Sequence, residues 1–170
     1  MFDCLYQFVK DFQTLIVGVL GFAGIIFTLR MNSRLLREQH ERSIKHDREV
    51  LKIALCAELE LIRRKFSDNA TSNAEESDAF FPVETHTNIY KNFVAKLGLL
   101  SAEEVSAVIE AYTLIEEVPT RLRLLSSGHD SSFDKPGYIF IKAPHSKTAT
   151  GIYKSFLPSI KTAIKKLGDN

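Results

Sequence analysis

The chain has 170 residues, with 22 basic and 21 acidic side chains and a net charge of +1 at pH 7. Its length leaves room for one folded domain beyond a membrane span, not two. There is no Arg-rich or aromatic-interleaved pattern and no nucleic-acid module signature, so we expect no nucleic-acid partner.

The distribution of charge says more than its total. Asp68 to Glu117 holds ten acidic residues against Lys91 and Lys96, whereas Lys135 to Lys166 holds seven lysines and no acid. The middle is acidic and the end basic.

Residues 1–11 form a short N-terminal segment with Asp3, Lys10 and Asp11. Phe12 to Leu29 (FQTLIVGVLGFAGIIFTL) follows, eighteen residues without a charge. As an α-helix it covers about 27 Å, close to the hydrocarbon thickness of a bilayer. We read residues 12–30 as a transmembrane helix. A cleaved secretory signal needs a basic start and a small-residue cleavage site. The start has one Lys against two Asp, and Ile25 to Arg30 offers no such site. Arg30, Arg34, Arg37, Arg42, Lys45 and Arg48 follow the span. Basic flanks stay cytoplasmic, which predicts an inner-membrane, single-pass chain with its N-terminus outside. Gly18, Gly21 and Gly24 fall within about 120° of each other, a side fit for helix–helix contact in lipid and for a homo-oligomer.

Residues 31–49 read as a charged helical stalk of about 30 Å. Residues 50–170 read as the cytoplasmic domain. Ile44, Leu51, Leu55, Ile62 and Phe66 form a narrow stripe with coiled-coil-like rhythm. Val50, Ala54, Ala57 and Leu61 form a second apolar strip, and a helix apolar on two sides is packed between partners. Cys56 in this pattern reads as a small buried hydrophobe. Cys4, on the other side of the membrane in this topology, cannot bridge to it.

Ser67 to Ser77 is polar and aperiodic and reads as an exposed loop. Pro82 marks the approach to a helix from about His86 to Leu97, with Gly98 as its C′ residue. Ser101 and Glu104 make a capping box for a helix with Val105, Val108, Tyr112 and Ile115 on one face. Pro119 is expected to kink or restart that helix, which continues to about Ser126. Ser126 to Pro136 reads as a loop, and Tyr138 to Ile141 as an apolar run too short to found a sheet. The last helix, about Ser146 to Leu167, has Tyr153, Phe156, Leu157, Ile160, Ile164 and Leu167 on one face, with Pro158 opposite. The fold class is all-α: one N-terminal transmembrane helix continuing into a bundle of about four helices.

Lys147, Lys154, Lys161 and Lys165 fall within about 40° of one another on this last helix. Such a stripe suits an anionic lipid surface or a protein partner, and each Lys near such a surface contributes about 1 kcal/mol. Catalytic and metal chemistry finds only weak support. His40 and His46 lie about 240° apart around a helix. His129-Asp130-Ser131 sits in a stretch of turn-forming composition, and a triad is defined by spatial geometry. There is no Gly-rich phosphate loop, HExxH or paired CxxC. We therefore expect no enzyme and no cofactor.

The span, the segment ending ALCAELELIRRKF and the following IYKNFVAKLGLLSAEEVSAVIEAY resemble small bacterial single-pass membrane proteins. The likeness covers about Phe12 to Tyr112 and implies no activity. The expected function is a non-enzymatic membrane scaffold, adaptor or sensor with an unknown protein partner. The alternative is an oligomerising, pore-forming or membrane-disrupting effector. Gln13, Thr14 and Thr28, the polar groups of the span, lie near its ends, which argues against a polar pore lining.

Overall fold

The computed structural model describes residues 6–7, 10, 13–71, 77–126 and 135–169. Helix accounts for 84% of these residues. Four α-helices and one pair of short strands are present among them: α1 (Gln13–Thr71), β1 (Ala79–Pro82), α2 (Asn88–Phe93), a 3₁₀ segment (Val94–Leu99), α3 (Ala102–Leu125), β2 (Tyr138–Ile141) and α4 (Ala143–Gly168). Cys4 and the His129-Asp130-Ser131 run lie outside the described residues. The chain divides into two compact units, Met1–His46 and Asp47–Asn170.

In the first unit α1 is helical from Gln13 onward. The helix contains an 18-residue window of mean hydropathy 1.3, no part of it buried. Leu20, Phe22 and Phe27 are exposed there. A helix with no Pro, bearing large apolar side chains around its circumference, has a composition suited to lipid. By length and composition it is able to cross a bilayer.

The second unit holds one hydrophobic core. Leu51, Leu55, Leu59, Ile62 and Phe66 enter it from α1, Val108, Tyr112, Ile115, Val118 and Leu122 from α3, and Tyr153, Phe156, Ile160 and Leu167 from α4. The predicted stripes on α3 and α4 therefore supply its walls. On α1 the stripe starts later than predicted, because Ile44 is exposed, and it takes in Leu59, which is fully buried. Ala107, Ala111, Ala149 and Ala163 are buried as well. Small residues at these positions let neighbouring helix backbones approach closely, and α3 and α4 are the two helices that pack most extensively on each other.

Local chemistry explains several boundaries. The capping box forms as predicted: the Glu104 backbone N–H donates to Ser101 Oγ at 3.3 Å, and the Ser101 N–H donates to Glu104 Oε2 at 2.7 Å. Pro119 does not end α3, which is continuous from Ala102 to Leu125. Val118 and Leu122 are buried on either side of it, so tertiary packing overrides the lost backbone bond. The last helix begins at Ala143, three residues earlier than the sequence suggests, with Pro144 in its first turn. The Asp78 carboxylate accepts from the Ala143 N–H at 2.8 Å, so the cap comes from a residue remote in sequence.

Four expectations are corrected. Tyr138 to Ile141 does found a small sheet, pairing antiparallel with Ala79–Pro82 in the register Ala79 to Ile141 and Pro82 to Tyr138. Pro82 therefore ends a strand instead of approaching a helix. AFFP and YIFI are each rich in aromatic or β-branched residues and gain from pairing what neither has alone. The segment from Ser67 is helical as far as Thr71, with Ala70 packed against the core and Thr71 Oγ1 donating to the Ser67 carbonyl at 2.9 Å. The helix predicted from about His86 to Leu97 is a six-residue α-turn followed by 3₁₀, and Gly98 lies inside the latter instead of capping it. Cys56 is only partly buried, and burial together with the nearby Glu60 raises its thiol pKa.

Candidate interaction surfaces

The glycine side lies in the first unit. A Cβ built on Gly18, Gly21 or Gly24 meets nothing within 4 Å. Among the described residues none packs against these three positions. Thr28 Oγ1 donates to the Gly24 carbonyl at 2.9 Å, so this hydroxyl is satisfied within its own helix.

The lysine face lies on α4. Lys147, Lys154, Lys161 and Lys165 are all exposed. Among the described residues none of them pairs with an acid. Their neighbour Lys166, about 100° further round the helix from Lys165, contacts Glu103 at 2.6 Å instead. Glu110, on the same side as that contact, accepts from Ser159 Oγ at 2.9 Å. Glu103 and Glu110 of α3 are thus engaged with one flank of α4, and the four lysines project away from them. The structure brings the four together on one solvent face.

Two buried carboxylates hold the second unit in shape. Glu58 on α1 accepts from the Ile89 N–H at 2.7 Å, the Tyr90 N–H at 2.9 Å and the Tyr112 hydroxyl at 2.7 Å. It therefore caps α2 from across the core. Burial, then the bond to Glu58, pushes the Tyr112 phenol well above its ordinary pKa. Tyr90 stacks on Tyr112 with ring centroids 3.9 Å apart. Glu104 on α3 receives Lys52 at 3.1 Å and Arg48 at 3.0 Å from α1. Burial alone raises its pKa, but the Ser101 N–H, Lys52 and Arg48 outweigh that and hold it at about 2. Sequence reasoning missed both joints. Glu58 sits one residue from the core stripe of α1, and that offset was the available signal. Glu104 was found as a cap but not as the hub of an ion-pair cluster.

A cavity of about 410 Å³ opens between the end of α1, the β1–α2 connection and α4. Phe66, Val118 and Tyr153 form its apolar part, and Lys65, Glu84 and His86 line it with charge or polarity. Among the described residues no group of three or more His, Cys, Asp or Glu side chains is placed to hold a metal. The chain matches no known protein family, no curated protein and no solved structure.

Proposed function

We propose that this protein is a non-enzymatic, membrane-anchored helical scaffold, adaptor or sensor. In this reading residues 12–30 cross the inner membrane with the N-terminus outside. The stalk of residues 31–49 leads to a cytoplasmic domain that presents an interaction surface. It is the arrangement expected of small bacterial single-pass proteins that hold a helical module near a bilayer. One observation carries it: the uncharged apolar stretch of α1 is exposed from Val17 to Leu29, while the same chain builds a core from Leu51 to Leu167. Exposed apolar surface on this scale costs roughly 25 cal/mol per Å² in water, and lipid removes that cost.

The experiment is crosslinking in intact cells followed by affinity purification in mild detergent, comparing the full chain with a version lacking residues 1–30. A specific protein captured by the anchored form alone is the expected result. Homo-oligomers alone, lost with the span, would instead favour an oligomerising membrane effector joined through Gly18, Gly21 and Gly24. Growth arrest with loss of membrane potential on overexpression would point the same way. The lysine face of Lys147, Lys154, Lys161 and Lys165 is the part of the domain suited to an acidic partner or anionic lipid. No cofactor is invoked.

A further inference from the structure

The apolar stretch of α1 does not end evenly around the helix. On one side Arg30, Arg34 and Arg37 follow it directly, within about 60° of one another. On the opposite side Met31, Leu35 and Leu36 are 57%, 54% and 65% exposed. With Asn32 among them, they carry the apolar surface about two turns further. Charge therefore begins on the arginine side alone.

The three arginines line one shallow cleft together with Leu29 and Ser33. Among the described residues only Arg34 of the three pairs with an acid, Glu38 at 3.2 Å. Those two side chains are 82% and 48% exposed, and a pair so open to solvent holds little in place. No acid stands between Leu29 and Arg37, and the first beyond them are Glu38 and Glu41. Arg30, Arg34 and Arg37 lie about 1.5, 7.5 and 12 Å past Leu29 along the helix, Glu38 and Glu41 about 13.5 and 18 Å. Helical side chains lean towards the N-terminus, so Arg37 reaches back to the span. The headgroup layer on one face of a bilayer is about 5–8 Å thick. The guanidiniums thus gather at that layer, and the acids start beyond it.

A guanidinium donates two parallel N–H bonds to a phosphate, which a lysine ammonium does not. Ser33 adds a hydroxyl donor on the same side. A zwitterionic headgroup brings an ammonium that three guanidiniums repel, whereas an anionic headgroup brings none. We propose that Arg30, Arg34 and Arg37 bind the phosphate of an anionic phospholipid headgroup at the cytoplasmic end of the span. The inference rests on the reading of the chain as membrane-anchored and names its lipid partner. A basic flank that only orients the chain would work from any side of the helix, but this site needs its arginines on one.

The test reconstitutes the full chain carrying Phe27→Trp in phosphatidylcholine bilayers. The chain has no tryptophan of its own, and Phe27 is exposed about 20° from Arg34 around the helix. Brominated phosphatidylglycerol and brominated phosphatidylcholine then compete to quench the indole. The expected result is a preference for phosphatidylglycerol that falls about fivefold with Arg37→Gln, the factor one such charge contributes near an anionic surface. It should vanish when all three arginines are replaced by Gln. Moving the charge, by Arg37→Gln with Gln39→Arg on the far side, is expected to cost as much as Arg37→Gln alone; a restored preference would mean that charge count acts without a site. Lys147→Gln, Lys154→Gln and Lys161→Gln together remove the same charge from α4 and are expected to leave the preference intact, and its loss there would overturn the proposal. So would a preference abolished by inorganic phosphate but not by sodium chloride of equal ionic strength, which would assign the arginines to a free anion. Equal quenching by the two lipids in a chain that resists carbonate washing overturns the site and leaves the anchor reading standing. A chain released by the wash overturns the anchor reading, and this inference with it.

Discussion

Glu104 does three jobs with one carboxylate. It closes the capping box of α3, and it anchors Lys52 and Arg48 of α1. Its side chain is 8% exposed, so solvent screens these contacts weakly. The folded state holds its pKa at about 2, against an ordinary value of 4.5. The stabilisation that follows is fully present above about pH 4.5 and is lost as pH falls towards 2. Glu104→Gln should lower the unfolding free energy by about 1–3 kcal/mol at pH 7. The gap between wild type and variant should close on acidification to pH 2. Urea unfolding at a series of pH values checks this, and a gap independent of pH would show that shape matters at this position and charge does not. Glu58 makes a different point at the same scale. Its three donors come from residues 31 to 54 positions away, so its place beside the core stripe is legible locally but its partners are not.

At the scale of elements, what repeats was legible and what depends on a distant partner was not. The stripes Val108–Tyr112–Ile115 and Tyr153–Phe156–Ile160 follow the helical period, and the structure buries all six residues. The Ser101–Glu104 capping box is a four-residue code and was read directly. AFFP and YIFI carry no such code, because a strand of four residues is stabilised by a partner 56 or more positions away in the register observed. The short α2 likewise owes its start to Glu58, and the early start of α4 owes its cap to Asp78. The candidate surfaces were legible to the same degree: the lysine face follows from periodicity, whereas the cavity joins segments that no pattern links. Pro119 shows packing overriding a local rule. It leaves the Ile115 carbonyl without its helical donor, yet Ile115, Val118 and Leu122 are all fully or almost fully buried. Pro119→Ala restores that donor within an unbroken helix and should raise stability by about 1–3 kcal/mol. Thermal unfolding reads the change, and an unaltered midpoint would mean the carbonyl is already satisfied by water.

At the scale of the whole molecule the division falls between His46 and Asp47, inside one continuous helix. Every residue of the hydrophobic core lies from Leu51 onward. The ion pairs that tie α1 to α3 begin at Arg48, the second residue after the division. Among the described residues, those from Gln13 to Glu41 extend α1 and none of them belongs to the core. Helix nucleation is the unfavourable step, and propagation from an already packed helix is not. In the second unit the packed stretch Leu51–Phe66 provides the nucleus. A chain beginning at Arg42 should thus unfold cooperatively in urea, with a stability within about 0.5 kcal/mol of the full chain in a mild detergent. Its first four N–H groups would face water, where a helix end needs no protein partner. Loss of the cooperative transition would mean that the upstream helix holds Leu51–Phe66 in register, and that the two units fold as one.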